Sequence, residues 1–149
     1  MHRILFVCHG NICRSPMAEF VMKDLVRRKG LEDDFEIASC ATSNEEIGND
    51  IYPPVKRVLD VHGIPFERRK ARRMTSDDYH RYDMIVCMDR QNMRNMRPFV
   101  GNDLDRKVSM MLAHIGEDRD VDDPWYTGDF ERTFQEISEA CDAILKETL

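Results

Sequence analysis

The sequence has no long hydrophobic run. Charged residues interrupt the apolar ones throughout, so no stretch reaches the roughly 20 apolar residues that cross a bilayer, and no membrane partner is expected. The apolar opening Ile4-Leu5-Phe6-Val7 is shorter than the core of about 7–15 residues in a secretion signal, and it runs directly into a polar loop. A cytoplasmic location is expected. Paired C-x-x-C is missing, and His62, His80 and His114 stand near none of the cysteines, so no metal is expected. An evenly paired cysteine framework is missing too, because Cys8, Cys13, Cys40, Cys87 and Cys141 are scattered and odd in number. At least one thiol therefore calls for a chemical explanation. The nucleotide signatures G-x-x-x-x-G-K-[ST] and G-x-G-x-x-G are absent, which disfavours ATP hydrolysis and hydride transfer. Repeats and low-complexity stretches are absent as well. Excess positive charge is also lacking. The formal net charge is −6, whereas duplex binding draws on many Lys and Arg contacts to phosphate, so nucleic acid is not an expected partner.

What is present fits one domain over residues 1–149, at a length that buries about 70% of the unfolded surface. Arg3 to Val7 reads as a buried strand at the sheet centre, followed by a loop from Cys8 to Ile12. From Ser15-Pro16, apolar residues recur at helical spacing until Lys29-Gly30. Phe35 to Ser39 reads as a second strand, and Val55, Val58 and Leu59 mark a helix entered through Tyr52-Pro53-Pro54. Tyr82 to Met88 is a third strand, followed by a helix near Arg90 to Phe99 and a weak fourth strand at Lys107 to Met110. Phe134, Ile137, Ala140, Cys141, Ile144 and Leu145 share one helical face at the end of the chain. Alternating strands and helices predict an α/β fold with a parallel sheet covered on both faces. In such sheets the ligand crevice lies outside the carboxyl ends of the strands, which points to the loop at Cys8.

That loop, Val7-Cys8-His9-Gly10-Asn11-Ile12-Cys13-Arg14-Ser15-Pro16, places a cysteine at a strand end and an arginine at a helix start. A loop opening into a helix N-terminus gathers unpaired backbone N–H groups and positive potential around one point, a cradle for an oxyanion. Gly10 is expected to supply positive φ, and Arg14 a fork matching two oxygens of a tetrahedral anion. The same field favours a thiolate at Cys8, placed for in-line attack on phosphorus. The plainer reading makes Cys8 a small buried hydrophobe, which leaves Gly10, Asn11, Arg14 and Ser15 without a reason to share the loop. Ester cleavage also needs a proton for the leaving oxygen. Asp123, before Pro124, Trp125 and Tyr126, is the candidate, with Asp122 its competitor; the two aromatics would wall a pocket for an aryl group. The basic run Arg68 to Arg73 is either a solvated face or a funnel for an anionic substrate.

The loop V-C-H-G-N-I-C-R-S-P, the segment Y-D-M-I-V-C-M-D at Tyr82 to Asp89 and D-P-W-Y at Asp123 to Tyr126 together resemble the low-molecular-weight protein tyrosine phosphatases, over essentially the whole length. The resemblance implies a single-domain three-layer fold, with a four-stranded parallel sheet flanked by helices and the phosphate-binding loop between the first strand and first helix. It implies metal-free, cofactor-free hydrolysis of phosphotyrosine and aryl phosphate monoesters through a phosphocysteine. Cys8 would be the nucleophile, Arg14 the phosphoryl-binding residue, and Asp123 the general acid and then base. His9, Gly10, Asn11, Ile12, Cys13, Ser15, Glu45, Trp125 and Tyr126 would contribute to substrate binding. Within that set Asn11 would hold the loop's strained shape and Ser15 would donate to the Cys8 thiolate. Cys13 resembles a resolving thiol that forms a reversible disulfide with an oxidised nucleophile, against the plainer reading of a packed small residue. The implied partner is a phosphotyrosine-containing protein, with inorganic phosphate as product or inhibitor and the enzyme a monomer or weak homo-oligomer.

The chain departs from the family pattern at several places. Cys40 stands where glycine is usual, and Glu45 where an aromatic or apolar pocket wall is common. Arg69 takes the place of a histidine that joins Ser39 and Asn11 in many members, and Trp125-Tyr126 replaces a Tyr-Tyr pair. Arsenate reduction on the same fold would need relay cysteines. Cys87 falls in a predicted strand and Cys141 on a helix face, so neither offers one. A phosphotyrosine-binding module without catalysis would have no need of both Cys8 and Asp123.

Overall fold

Strand β1 (His2–Cys8) runs through the middle of the molecule, and Ile4 to Cys8 are all buried. The computed structural model describes residues 1–149. β1 pairs in parallel with β2 (Phe35–Ala41) on one side and with β3 (Met84–Cys87) on the other; β4 (Val108–Met110) closes the order β2-β1-β3-β4. The four-stranded parallel sheet expected from the strand and helix alternation is therefore present. Successive side chains of β1 point to opposite faces. Ile4, Phe6 and Cys8 join the larger core under α1 (Arg14–Arg28), α2 (Pro53–Val61) and α7 (Phe130–Thr148). Leu5 and Val7 join the smaller core on the other face, with Tyr79 of α3 (Ser76–Arg81) and Met96 between α4 (Arg90–Asn95) and α5 (Arg97–Val100).

α1 lies between the sheet and α7, so twelve of its fifteen residues are buried, including Arg14, Ser15, Glu19 and Asp24. α7 buries the face read from its periodicity, Phe134, Ile137, Ala140, Cys141, Ile144 and Leu145. His114 ties the end of that helix to the sheet edge: its Nε2 lies 2.8 Å from Ser109 Oγ of β4 and its Nδ1 2.5 Å from Glu147 Oε2.

Three expectations are corrected. The single helix near Arg90 to Phe99 is two, because Pro98 has no N–H to continue the ladder, and Met96 marks the break. The third strand begins at Met84 rather than Tyr82, since Tyr82 N–H still donates to Asp78 O and closes α3. α3 itself has no counterpart among the expected elements, although Thr75 and Asp78 form a capping box with Thr75 N–H donating to Asp78 Oδ2 at 2.8 Å. Cys40, unexplained by sequence, is a fully buried neighbour of Val7 in the smaller core, where burial pushes its thiol up.

The chain passes from β1 outward to β2 and then back across to β3. The crevice of such a sheet opens at the carboxyl ends of the two strands flanking that reversal, β1 and β3. Cys8 ends one, and Asp89 stands just beyond the other.

Candidate active site

β1 leads directly into the loop, and the two residues after β2 hold the loop's first half: Thr42 N–H donates to Cys8 O at 3.0 Å, Ser43 N–H to His9 O at 3.1 Å and Ser43 Oγ to His9 O at 2.9 Å. Tyr52 N–H secures the far side through Ile12 O at 2.9 Å. The N–H groups of Gly10, Ile12, Cys13 and Arg14 donate no hydrogen bond inside the protein, and all four residues line the pocket above Cys8. That is the ring of orphan donors that a tetrahedral anion fits.

The positive φ in the loop belongs to Asn11, at +60°, and not to Gly10 as expected. A Cβ at Gly10 would come within 3.2 Å of the Glu46 side chain, a tight contact that a small shift of that side chain would relieve. Asn11 is fully buried, and every one of its polar groups is bonded. Its N–H donates to Cys8 Sγ at 3.3 Å, and its Nδ2 donates to Ser15 Oγ at 2.8 Å and Ser39 Oγ at 2.9 Å. Its Oδ1 accepts from Arg72 N–H at 3.2 Å and its carbonyl from Arg69 Nη2 at 2.6 Å. Left-handed backbone costs an asparagine of order 1 kcal/mol or more, and five bonds to the fold offset it. Ser15 Oγ lies 3.0 Å from Cys8 Sγ. Asn11 and Ser15 thus stand beneath the loop and are not among the residues that line the pocket.

The basic run is neither a solvated face nor a funnel as a whole. Arg69 and the Arg72 N–H brace the loop, while the Arg72 side chain makes two 3.0 Å bonds to Asp78. Arg73 lies over the Phe99 ring, and Arg68 and Lys70 are exposed. Arg69 does not reach the Ser39 and Asn11 side chains; it grips the Asn11 carbonyl instead.

Arg14, only 2% exposed, has its Nη1 committed to the protein. Nη1 donates to Asp89 Oδ2 and to Val121 O, both at 2.8 Å. Burial works against its charge, but Cys8, Asp123 and Asp89 outweigh burial and push its pKa up. Nη2 lies 3.6 Å from Asp123 Oδ2, and Nε and Nη2 make no hydrogen bond within the protein, leaving one edge of the fork for an anion. Asp89 is a residue that sequence reasoning passed over, although it closes the Y-D-M-I-V-C-M-D motif. Its Oδ1 also accepts from Asn92 N–H at 2.7 Å, capping α4.

Asp123 caps α6 (Pro124–Thr127) through its Oδ1, which accepts from Trp125 N–H at 3.0 Å, and it lines the pocket with Cys8. Asp122 faces a separate cleft with Thr127 and Asp129. Trp125 and Tyr126 form one wall, 52% and 84% exposed, and Trp125 rests on Tyr52 at 4.7 Å between ring centres. Glu45 and Glu46 also line the pocket, and Glu45 Oε2 lies 2.9 Å from His9 Nε2. Cys13 is buried beside Cys8; burial first, then the Cys8 and Asp123 charges, push its thiol up. Nowhere do three or more His, Cys, Asp or Glu side chains gather as a metal site.

The model of the family described as low molecular weight phosphotyrosine protein phosphatase matches residues 3–149. The chain belongs to this family. It is 36% identical over 147 residues to the low molecular weight protein-tyrosine-phosphatase YfkJ of Bacillus subtilis, covering 97% of this chain and 94% of that one. It is also 36% identical over 151 residues to the human low molecular weight phosphotyrosine protein phosphatase, covering 96% and 93%. The crystal structure of YfkJ superposes with a TM-score of 0.94 over 99% of this chain and 94% of that chain. The Drosophila arginine phosphatase DARP superposes with a TM-score of 0.86 at 27% identity, over 97% and 96%. The family is one of hydrolases, and its fold is the single parallel-sheet fold described above.

Proposed function

We propose that the chain hydrolyses phosphotyrosine in proteins, and aryl phosphates generally, by two in-line displacements at phosphorus. One observation carries this reading: Cys8, the unbonded edge of Arg14 and Asp123 line one pocket whose outer wall is aromatic. The phosphoryl group sits on the loop N–H groups with two oxygens on Arg14 Nε and Nη2. Cys8 Sγ attacks phosphorus while the bond to the tyrosyl oxygen breaks, and Asp123 gives that oxygen its proton. The carboxylate then takes a proton from water, the water oxygen displaces sulfur, and inorganic phosphate leaves with Cys8 restored as thiolate. Asp89 holds Arg14 from behind.

Trp125 and Tyr126 suit a flat aryl group, and Glu45 in the same pocket favours substrates with basic residues beside the phosphotyrosine. Cys13 is the resolving thiol for an oxidised Cys8. All five cysteines are free, which suits a reducing, cytoplasmic setting.

The test is metal-free turnover of 4-nitrophenyl phosphate and of phosphotyrosine and phosphoarginine peptides by the parent and by Cys8→Ser, Asp123→Ala and Asp122→Ala. Loss of turnover is expected in Cys8→Ser, and a fall of about 10²–10⁴ in Asp123→Ala, the usual contribution of general acid–base catalysis. Retained activity in Cys8→Ser refutes covalent catalysis. A larger loss in Asp122→Ala refutes the choice of acid, and preference for phosphoarginine refutes the substrate class.

A further inference from the structure

The aromatic wall of the pocket stands on a single turn of helix. Trp125 projects from α6 half exposed, and an exposed side chain exchanges rotamers within picoseconds to nanoseconds unless something holds it. Its ring lies 4.7 Å from that of Tyr52, tilted by 46°, and the Tyr52 ring in turn lies 6.0 Å from that of Phe130. Tyr52 and Phe130 both pack against the larger core. The Tyr52 backbone is fixed as well. Its N–H donates to Ile12 O and its carbonyl accepts from Val55 N–H, both at 2.9 Å. Pro53 follows, which confines Tyr52 to the extended backbone it adopts, at φ −58° and ψ 131°. α2, which Tyr52 opens, is bound to α7 at its far end. There His62 stacks on Phe134 with ring centres 3.9 Å apart, and its Nε2 lies 2.7 Å from Glu131 Oε1. Trp125 therefore leans on a ring that the starts of two core helices hold still.

We propose that Tyr52 is a positioning residue that holds Trp125 as the pocket wall and thereby sets the preference of the site for aryl over alkyl phosphates. The proposal rests on the pocket receiving the phosphotyrosine ring. Fixing a mobile side chain when a ligand arrives weakens binding, whereas a wall already fixed by the fold carries no such cost. The Tyr52 ring does this without touching the phosphoryl group, which sits on the loop N–H groups and Arg14. A substrate with no ring gains nothing from the wall and is indifferent to Tyr52. The substrate ring meets the wall in the bound state and in the transition state alike, so the effect falls on affinity and not on kcat. The loop itself is unaffected by a change of side chain at position 52, because its bond to Tyr52 is made by the backbone N–H.

Benzylphosphonate and methylphosphonate carry the same charged head, and only the first has a ring to rest on the wall. Their inhibition constants are to be measured on the parent, Tyr52→Leu and Tyr52→Phe, together with acrylamide quenching of Trp125, the only tryptophan in the chain. In Tyr52→Leu the benzylphosphonate constant is expected to rise about fivefold, the scale of a lost aromatic pair, with methylphosphonate within about twofold. Quenching of Trp125 should increase in the same variant. Tyr52→Phe keeps the ring and should match the parent in both measurements. Added to Trp125→Leu, Tyr52→Leu should change the ratio of the two constants no further. An unchanged ratio in Tyr52→Leu overturns the proposal, as does unchanged quenching, an equal loss in Tyr52→Phe, or a further loss in the double variant. Should Tyr52→Leu not fold, an unchanged ratio in Tyr52→Met overturns it alone. Failure of the underlying reading is distinct, since it shows as a parent that binds the two phosphonates equally.

Discussion

Asp89→Asn separates two tasks that one side chain performs. In the parent, Oδ1 takes the Asn92 N–H at 2.7 Å and Oδ2 takes Arg14 Nη1 at 2.8 Å. The amide has a single oxygen. Left on the cap, it sets its NH2 against Arg14 Nη1, donor facing donor; turned round, it leaves α4 uncapped. A hydrogen bond to a charged group contributes about 1.5–3 kcal/mol and a cap about 1 kcal/mol. Arg14 keeps its 2.8 Å bond to Val121 O, so the displacement of the guanidinium is partial and the lower part of the range applies. About 2 kcal/mol corresponds to a roughly thirtyfold loss in kcat/KM. Loss of about 1 kcal/mol in stability lowers the melting temperature by about 2–4 °C in a chain of this size. The assay is 4-nitrophenyl phosphate turnover with inorganic phosphate as competitor, alongside a thermal melt. Phosphate inhibition should weaken in parallel with kcat/KM, because both depend on the free edge of Arg14. If the variant melts lower while kcat/KM and phosphate inhibition stay within twofold, Asp89 only caps α4, and its role behind Arg14 is refuted.

Glu45→Trp should shift the preference between basic and acidic phosphotyrosine peptides towards the acidic ones by up to about fivefold, the scale of an exposed charge pair; an unchanged ratio refutes the specificity role. Asp50 is subject to burial, but Lys56 and the N–H groups of Ile51 and Arg69 outweigh it and hold the carboxyl down at about 2. A carboxyl lowered by folding adds stability above its unfolded value near 4, and that stability is lost as pH falls from about 4 towards 2. Asp50→Asn should therefore flatten the melting temperature in that window and leave its slope between pH 6 and 8 unchanged; parallel curves through the window refute the assignment. Burial pushes up the thiols of Cys13, Cys40 and Cys141, and burial with Asp89 raises Cys87 to about 12. At pH 7–8 iodoacetamide should label Cys8 alone, with phosphate protecting, and a second thiol labelled at a similar rate refutes this. Peroxide inactivation should be reversed by added thiol in the parent and irreversible in Cys13→Ser; irreversible loss in the parent refutes the resolving role.

The strands and the long helices were legible because their apolar spacing reports a repeating environment. β1 and the face of α7 are of that kind. The helices missed or merged are short, and their limits depend on single groups: the Thr75 and Asp78 cap of α3, and the absent N–H of Pro98. The loop was legible as a cradle because glycine, arginine and a helix start have general chemistry. Its bracing was not. Arg69, Arg72 and Asp89 reach the loop from segments far along the chain, and a run of like charges carries no mark of which members turn inward. Likewise Gly10 reads as a conformational residue from sequence, whereas the left-handed turn falls to Asn11.

The left-handed Asn11 is tied to Arg69 across 58 residues, and Arg14 to Val121 across 107. Neither tie exists until the chain between has closed, so the strained loop lacks these two restraints while the molecule is assembling. Recovery of turnover then reports the completion of refolding and not the formation of the sheet. In refolding from denaturant, the circular dichroism of the strands and helices should return ahead of 4-nitrophenyl phosphate hydrolysis. Simultaneous return would mean that the loop is set in the same cooperative step as the sheet.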